Sequence, residues 1–183
     1  MRTFMWYAKD MENMEHGNLR KTTHTLGDFV PLLSILAVIV LFTAYMWNTQ
    51  SDPDLMFGMR MFMSGFFVVF GSFKLLKLSG FVEAYKKYDV IATRSTAYAY
   101  AYPFIEIALG IAYFTAFNLL AVNVFTLVIM LVGAYGVWLK LREKEEIPCA
   151  CLGVVFKIPM TKVTLFEDLL MALMALIMII ILI

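Results

Sequence analysis

The sequence predicts an all-α fold, a polytopic membrane helix bundle of about five transmembrane helices, and three observations predict it. Of its 183 residues, 62% are hydrophobic and only 16% are charged, whereas a soluble domain has roughly 45–50% apolar and about 25% charged residues. That excess needs an apolar solvent, and lipid is one. The apolar residues also fall into five long runs, and the basic residues cluster on alternate connections between them.

A helix crossing about 30 Å of hydrocarbon needs roughly 20 mainly apolar residues at 1.5 Å each. The first run, about Phe29 to Trp47, carries no charge, and Pro31 sits in its first turn, where proline is tolerated. The second, about Met56 to Leu76, has Arg60 near its start and Lys74 near its end. The third, about Thr96 to Phe117, holds Pro103 and Glu106. The fourth, about Leu119 to Leu139, is separated from it by little more than Asn118, which predicts a tight antiparallel hairpin. The fifth runs from about Val163 to Ile183. Between the second and third runs, Phe81, Val82, Tyr85 and Tyr88 share a helical face amid Lys86, Lys87 and Arg94, the pattern of an amphipathic piece lying in the interface. Gly65 with Gly71, and Gly133 with Gly136, allow close approach of helix backbones.

The polar stretch before Phe29 lacks the basic-then-apolar pattern of a secretory signal, so the first run is expected to be an uncleaved anchor. With a cytoplasmic N-terminus, 14 of the 15 basic residues face inward and only Arg60 lies near the outer face. This predicts a multi-pass protein of a bacterial-type inner membrane, with the C-terminus outside and the loop carrying Cys149 and Cys151 in the cytoplasm. There is no basic block suited to nucleic acid, no phosphate-binding loop, no serine–histidine–acid set and no His-x-x-x-His helix.

Several segments together resemble a known family. Gly65-Phe66-Phe67-Val68-Val69-Phe70-Gly71-Ser72-Phe73-Lys74-Leu75-Leu76, the link from Gly80 to Tyr88, Tyr102-Pro103-Phe104-Ile105-Glu106-Ile107-Ala108-Leu109-Gly110, and Cys149-Ala150-Cys151-Leu152-Gly153 follow one another in the order of the MauE/DoxX group of redox-associated membrane proteins. The resemblance implies a four-helix core over residues 56–183, preceded by an added helix and outer loop at 29–55 and a polar cytoplasmic tail at 1–28. It also implies association with thiol, sulfur and quinone chemistry, and for the MauE branch with maturation of methylamine dehydrogenase, a partner protein outside the cytoplasm. Inward-facing cysteines and a partner outside the cytoplasm point to opposite sides of the membrane.

Cys149 and Cys151 are the only cysteines. Separated by one residue, they can close a small, strained disulfide ring that is easily reduced and suits exchange with a soluble thiol protein or small thiol. Lys144, Lys157 and Lys162 favour thiolate, whereas Glu143, Glu145 and Glu146 oppose it. A soft-metal site and two inert thiols are the other readings, although two thiolates do not complete a four-coordinate zinc site. Glu106 lies near the bilayer midplane, where a carboxylate needs a proton, a hydrogen bond or a partner. Its readings are a proton relay, a contact to a quinone head group, or a structural tie. Lys74 is its candidate partner, with snorkelling to the head groups as the alternative. Tyr98, Tyr100 and Tyr102 alternate near the inner boundary, where aromatic belts form; stacking of Tyr98 and Tyr102 on a quinone is the functional reading beside that anchoring one. The 14 methionines serve packing or, as thioethers, Cu(I) ligation.

The orientation is directly testable. Cys149 and Cys151 are expected to resist an impermeant thiol reagent added to intact cells and to react once the membrane is opened. Labelling from outside would reverse the topology.

Overall fold

In an apolar solvent each backbone N–H and C=O must be satisfied within the chain, and a helix does so segment by segment. The computed structural model describes residues 30–143 and 162–183. It contains helices α1 (Val30–Thr49), α2 (Leu55–Leu76), α3 (Leu78–Tyr85), α4 (Thr96–Thr115), α5 (Leu119–Glu143) and α6 (Lys162–Leu182). The segment carrying Cys149 and Cys151, with Lys144 and Lys157, lies outside the described residues, as does the N-terminal tail.

Local signals set the boundaries. The Asp54 side chain caps α2 by accepting a hydrogen bond from the backbone N–H of Phe57 at 2.7 Å. Ser95 caps α4 through the backbone N–H of Tyr98 at 3.3 Å. The α4–α5 hairpin turns through two residues of positive φ, Ala116 at 57° and Asn118 at 34°. Asn118 tolerates this conformation better than most residues do.

α1, α2, α5 and α6 are long and apolar enough to cross a membrane. α4, the remaining expected span, also has 20 residues, but its polar side chains lower its hydropathy. Tyr102, Glu106 and Tyr113 are buried, while Tyr100, Phe104, Ile111 and Phe114 are exposed. From Tyr102 to Phe114 this helix is polar towards the bundle and apolar towards its surroundings. α5 and α6 likewise expose Phe125, Val128, Leu131, Leu169 and Leu173, so the molecule presents to lipid the surface that a soluble protein would bury.

α2 packs on α4 and α5 packs on α6, and the two pairs meet through contacts of α2 with α6 and α4 with α5. Among the described helices α1 rests on α2 alone, and its buried residues are Leu32 and Ile39. Glycines set the closest approaches. A Cβ on Gly110 would lie 3.0 Å from both the Ser64 carbonyl oxygen and the Val68 backbone nitrogen of α2. A Cβ on Gly71 would lie 3.1 Å from the Pro103 carbonyl oxygen of α4. Gly136 lets the α3–α4 link cross α5, since a Cβ there would fall 2.4 Å from the Tyr88 carbonyl oxygen.

That link differs from expectation. The aromatic face of α3 is directed into the bundle instead of into the interface: Phe81, Val82 and Tyr85 are buried, and Phe81 stacks on Tyr102 of α4 at 6.2 Å between ring centres. Aromatic surface on α4 competes successfully with lipid for this face. Asp89, fully buried, holds the following turns with Oδ1 accepting from the backbone N–H groups of Ile91 at 2.9 Å and Ala92 at 2.7 Å.

Gly110→Ala is predicted to destabilise the protein by about 1–3 kcal/mol, the cost of overpacking, because its Cβ meets backbone on two sides. Gly65→Ala should cost less, since a Cβ there meets only the Ile39 and Phe42 side chains, at 3.2 Å and beyond. Thermal unfolding of the two variants in detergent checks the order.

Candidate functional site

Lys74 is three residues from the C-terminal end of α2 counting inclusively, Glu106 is near the middle of α4, and Glu167 and Asp168 lie in the second turn of α6. All three helices converge at the joint between the two helix pairs, and these four side chains border one small cavity of about 40 Å³ there.

Lys74 and Glu106 form a buried ion pair, Nζ donating to Oε1. The ammonium does not snorkel. It turns inward between two rings, 5.0 Å from the centre of Tyr102 and 5.6 Å from that of Phe81, at cation–π distance. The close packing at Gly71 places the two backbones so that Lys74, one turn further along α2, reaches Glu106. Glu106 Oε2 and Glu167 Oε1 are buried without a hydrogen-bond partner among the described residues. Asp168 approaches α5 where that helix is thinnest, its Oδ2 lying 3.4 Å from the position of a Cβ on Gly133.

Aromatic side chains close the site. Tyr102 has Tyr85 at 4.6 Å and Tyr98 at 5.9 Å between ring centres. Of the three alternating tyrosines only Tyr100 is exposed in the manner of a belt; Tyr98 is half-buried and Tyr102 buried. The anchoring expectation therefore fails for Tyr98 and Tyr102, because residues four apart share one face of a helix and the residue midway between them lies on the opposite face. Tyr85 and Tyr88 reach the site from outside the spans, and burial pushes both phenols well above their usual pKa. They are neutral hydroxyl groups at physiological pH.

Of the residues singled out in the sequence, Lys74, Glu106 and Tyr102 come together at the cavity and Tyr98 stands beside it. Glu167 and Asp168 were not singled out. Their signal was two adjacent carboxylates a few residues inside the expected fifth span, where ionisable side chains face the bundle interior. Among the described residues no three His, Cys, Asp or Glu side chains are arranged to hold a metal ion.

Small-molecule pockets measure about 300–1,000 Å³, and the faces of Tyr102 are already engaged by Tyr85, Phe81 and Lys74. A larger cavity of about 450 Å³ between α1, α2 and α4 is lined by apolar side chains and Ser64. It contains neither Glu106 nor a tyrosine.

The fold and the site define a multi-pass helical membrane protein with a charge cluster buried between its helices. The family model of methylamine utilisation protein MauE matches residues 52–181, and the chain belongs to that family. The match begins after α1, which stands outside it. No curated protein and no solved structure matches the chain.

Removing one partner of a buried ion pair leaves a charge without compensation, at a cost of about 3–5 kcal/mol. Lys74→Met is predicted to destabilise on that scale, Glu106→Gln by less because Glu167 and Asp168 remain beside Lys74, and the double variant to lose less than the sum. Unfolding of all four proteins in mixed micelles measures the coupling; strictly additive losses would refute the pair.

Proposed function

We propose that this membrane protein supports thiol–disulfide chemistry through Cys149 and Cys151, exchanging with a soluble thiol protein or small thiol within methylamine utilisation. The observation that carries the reading is the family match over residues 52–181, which spans the Cys-x-Cys segment and all the helices that build the charge cluster.

In the reaction, the Cys149–Cys151 dithiol becomes a disulfide as a disulfide of the partner becomes a dithiol, or the reverse. Two electrons and two protons are exchanged, and the pair needs no cofactor to do this. In the chain the Cys149–Cys151 segment lies between α5 and α6. A membrane quinone as final electron carrier is what the family resemblance implies, and no step of the exchange is routed through one.

A redox titration of the lipid-embedded protein, read by alkylation and mass spectrometry, is expected to give one reversible two-electron midpoint for Cys149 and Cys151. Cys149→Ser and Cys151→Ser should each abolish exchange while leaving the fold intact. Failure to form the intramolecular disulfide at any potential would end this reading. Cu(I) binding lost in the same variants would then identify soft-metal handling, and indifference to both substitutions an assembly scaffold.

A further inference from the structure

The cluster between the helix pairs has more negative groups than its one cation can balance. Lys74 faces Glu106 across α2 and α4, while Glu167 and Asp168 enter from α6. Among the described residues lining the cavity, Lys74 is the only cation. α5 contributes Met130 and Gly133, and α3 with its link contributes the neutral phenols of Tyr85 and Tyr88. Asp89, next to Tyr88 in the chain, is fully buried as well.

If every carboxyl lining the cavity were ionised, two negative charges would be left over in a space of about 40 Å³. A water needs about 10–15 Å³ of such space, so the cavity has room for a few waters, which carry no charge. Hydration therefore does not neutralise the surplus, and like charges this close disfavour joint ionisation. Glu106 and Glu167 are 2% and 6% exposed, and each presents a carboxyl oxygen that has no hydrogen-bond partner among the described residues. These are vacant acceptor positions on buried acids beside a small cavity. Among the described residues no three His, Cys, Asp or Glu side chains are placed to hold a metal ion, which leaves a proton as the neutralising species.

We propose that Glu106, Glu167 and Asp168, held around Lys74, form an intramembrane proton-binding site that carries at least one exchangeable proton at neutral pH. The proton is shared among the three carboxyls, and Lys74 sets how many the site retains. The inference goes beyond thiol exchange: it rests on the described helices, involves neither cysteine, and holds or fails independently of them.

Infrared spectroscopy of the full chain in lipid vesicles, compared in H₂O and D₂O, tests it. At neutral pH a protonated-carboxyl C=O band is expected, shifted in D₂O, and losing most of its intensity in Glu167→Gln, Asp168→Asn or Glu106→Gln. Circular dichroism selects the variants that keep wild-type helicity, and the wild-type spectrum decides the first point without any variant. The Cys149→Ser/Cys151→Ser protein should retain the band. Absence of the band at neutral pH would overturn the proposal, as would a band unchanged in every folded carboxyl variant.

Discussion

One buried ion pair, Lys74 with Glu106, constrains the rest of the bundle. Neither charge is easily left alone in a dehydrated interior, since an unpaired ion there costs about 3–5 kcal/mol, a large part of a protein's usual margin of stability. The chain must therefore bring α2 and α4 close enough for the pair to form. It does so with Gly71 and Gly110, which let backbone and side chain of the facing helix occupy the space of a Cβ. The pair in turn requires walls, and the aromatic face of α3 folds over it so that Phe81 and Tyr102 flank the ammonium.

The same constraint explains why α3 does not lie flat in the interface. Its aromatic residues have two apolar environments available, lipid and the tyrosine face of α4. Stacking of Tyr85 on Phe81 at 5.0 Å and its tilted contact with Tyr102 at 4.6 Å, with an ammonium nearby, favour the second. Gly136 then becomes necessary, because the link leaving α3 has to pass directly over α5. Outside this polar seam the helices are held by apolar packing such as Phe67 against Tyr113 at 6.0 Å. Tyr113 in turn donates to Asn123 at 2.9 Å, tying α4 to α5 across their hairpin.

The helices were legible in the sequence because apolar runs of membrane length have few alternatives. Their expected ends agree with the structure within a few residues; α5 continues four residues past Leu139 because Lys140 and Arg142 favour a helix C-terminus. The pair of Lys74 and Glu106 was legible as a possibility, since a carboxylate at mid-span needs a partner. Its choice over snorkelling was not, because that depends on the approach of two helices at Gly71. Glu167 and Asp168 escaped notice for a related reason. They stand 61 and 62 positions beyond Glu106, and no periodicity links one helix to another across such a distance. Tyr98 and Tyr102 were read as boundary anchors from their spacing alone, whereas burial of one face of α4 assigns them to the interior.

Membership of the MauE family places this protein in the membrane and in methylamine utilisation, and the buried cluster is the feature around which its helices are organised. The central claim is that Lys74 points inward and is held there as a charged partner of Glu106. Amine-directed labelling of the lipid-embedded protein, with site-by-site mass spectrometry, tests it most directly. Lys77 and Lys87, both exposed, should be modified readily while Lys74 stays protected, and Glu106→Gln should raise the reactivity of Lys74. Modification of Lys74 at the rate of Lys77 in the unaltered protein would contradict the account.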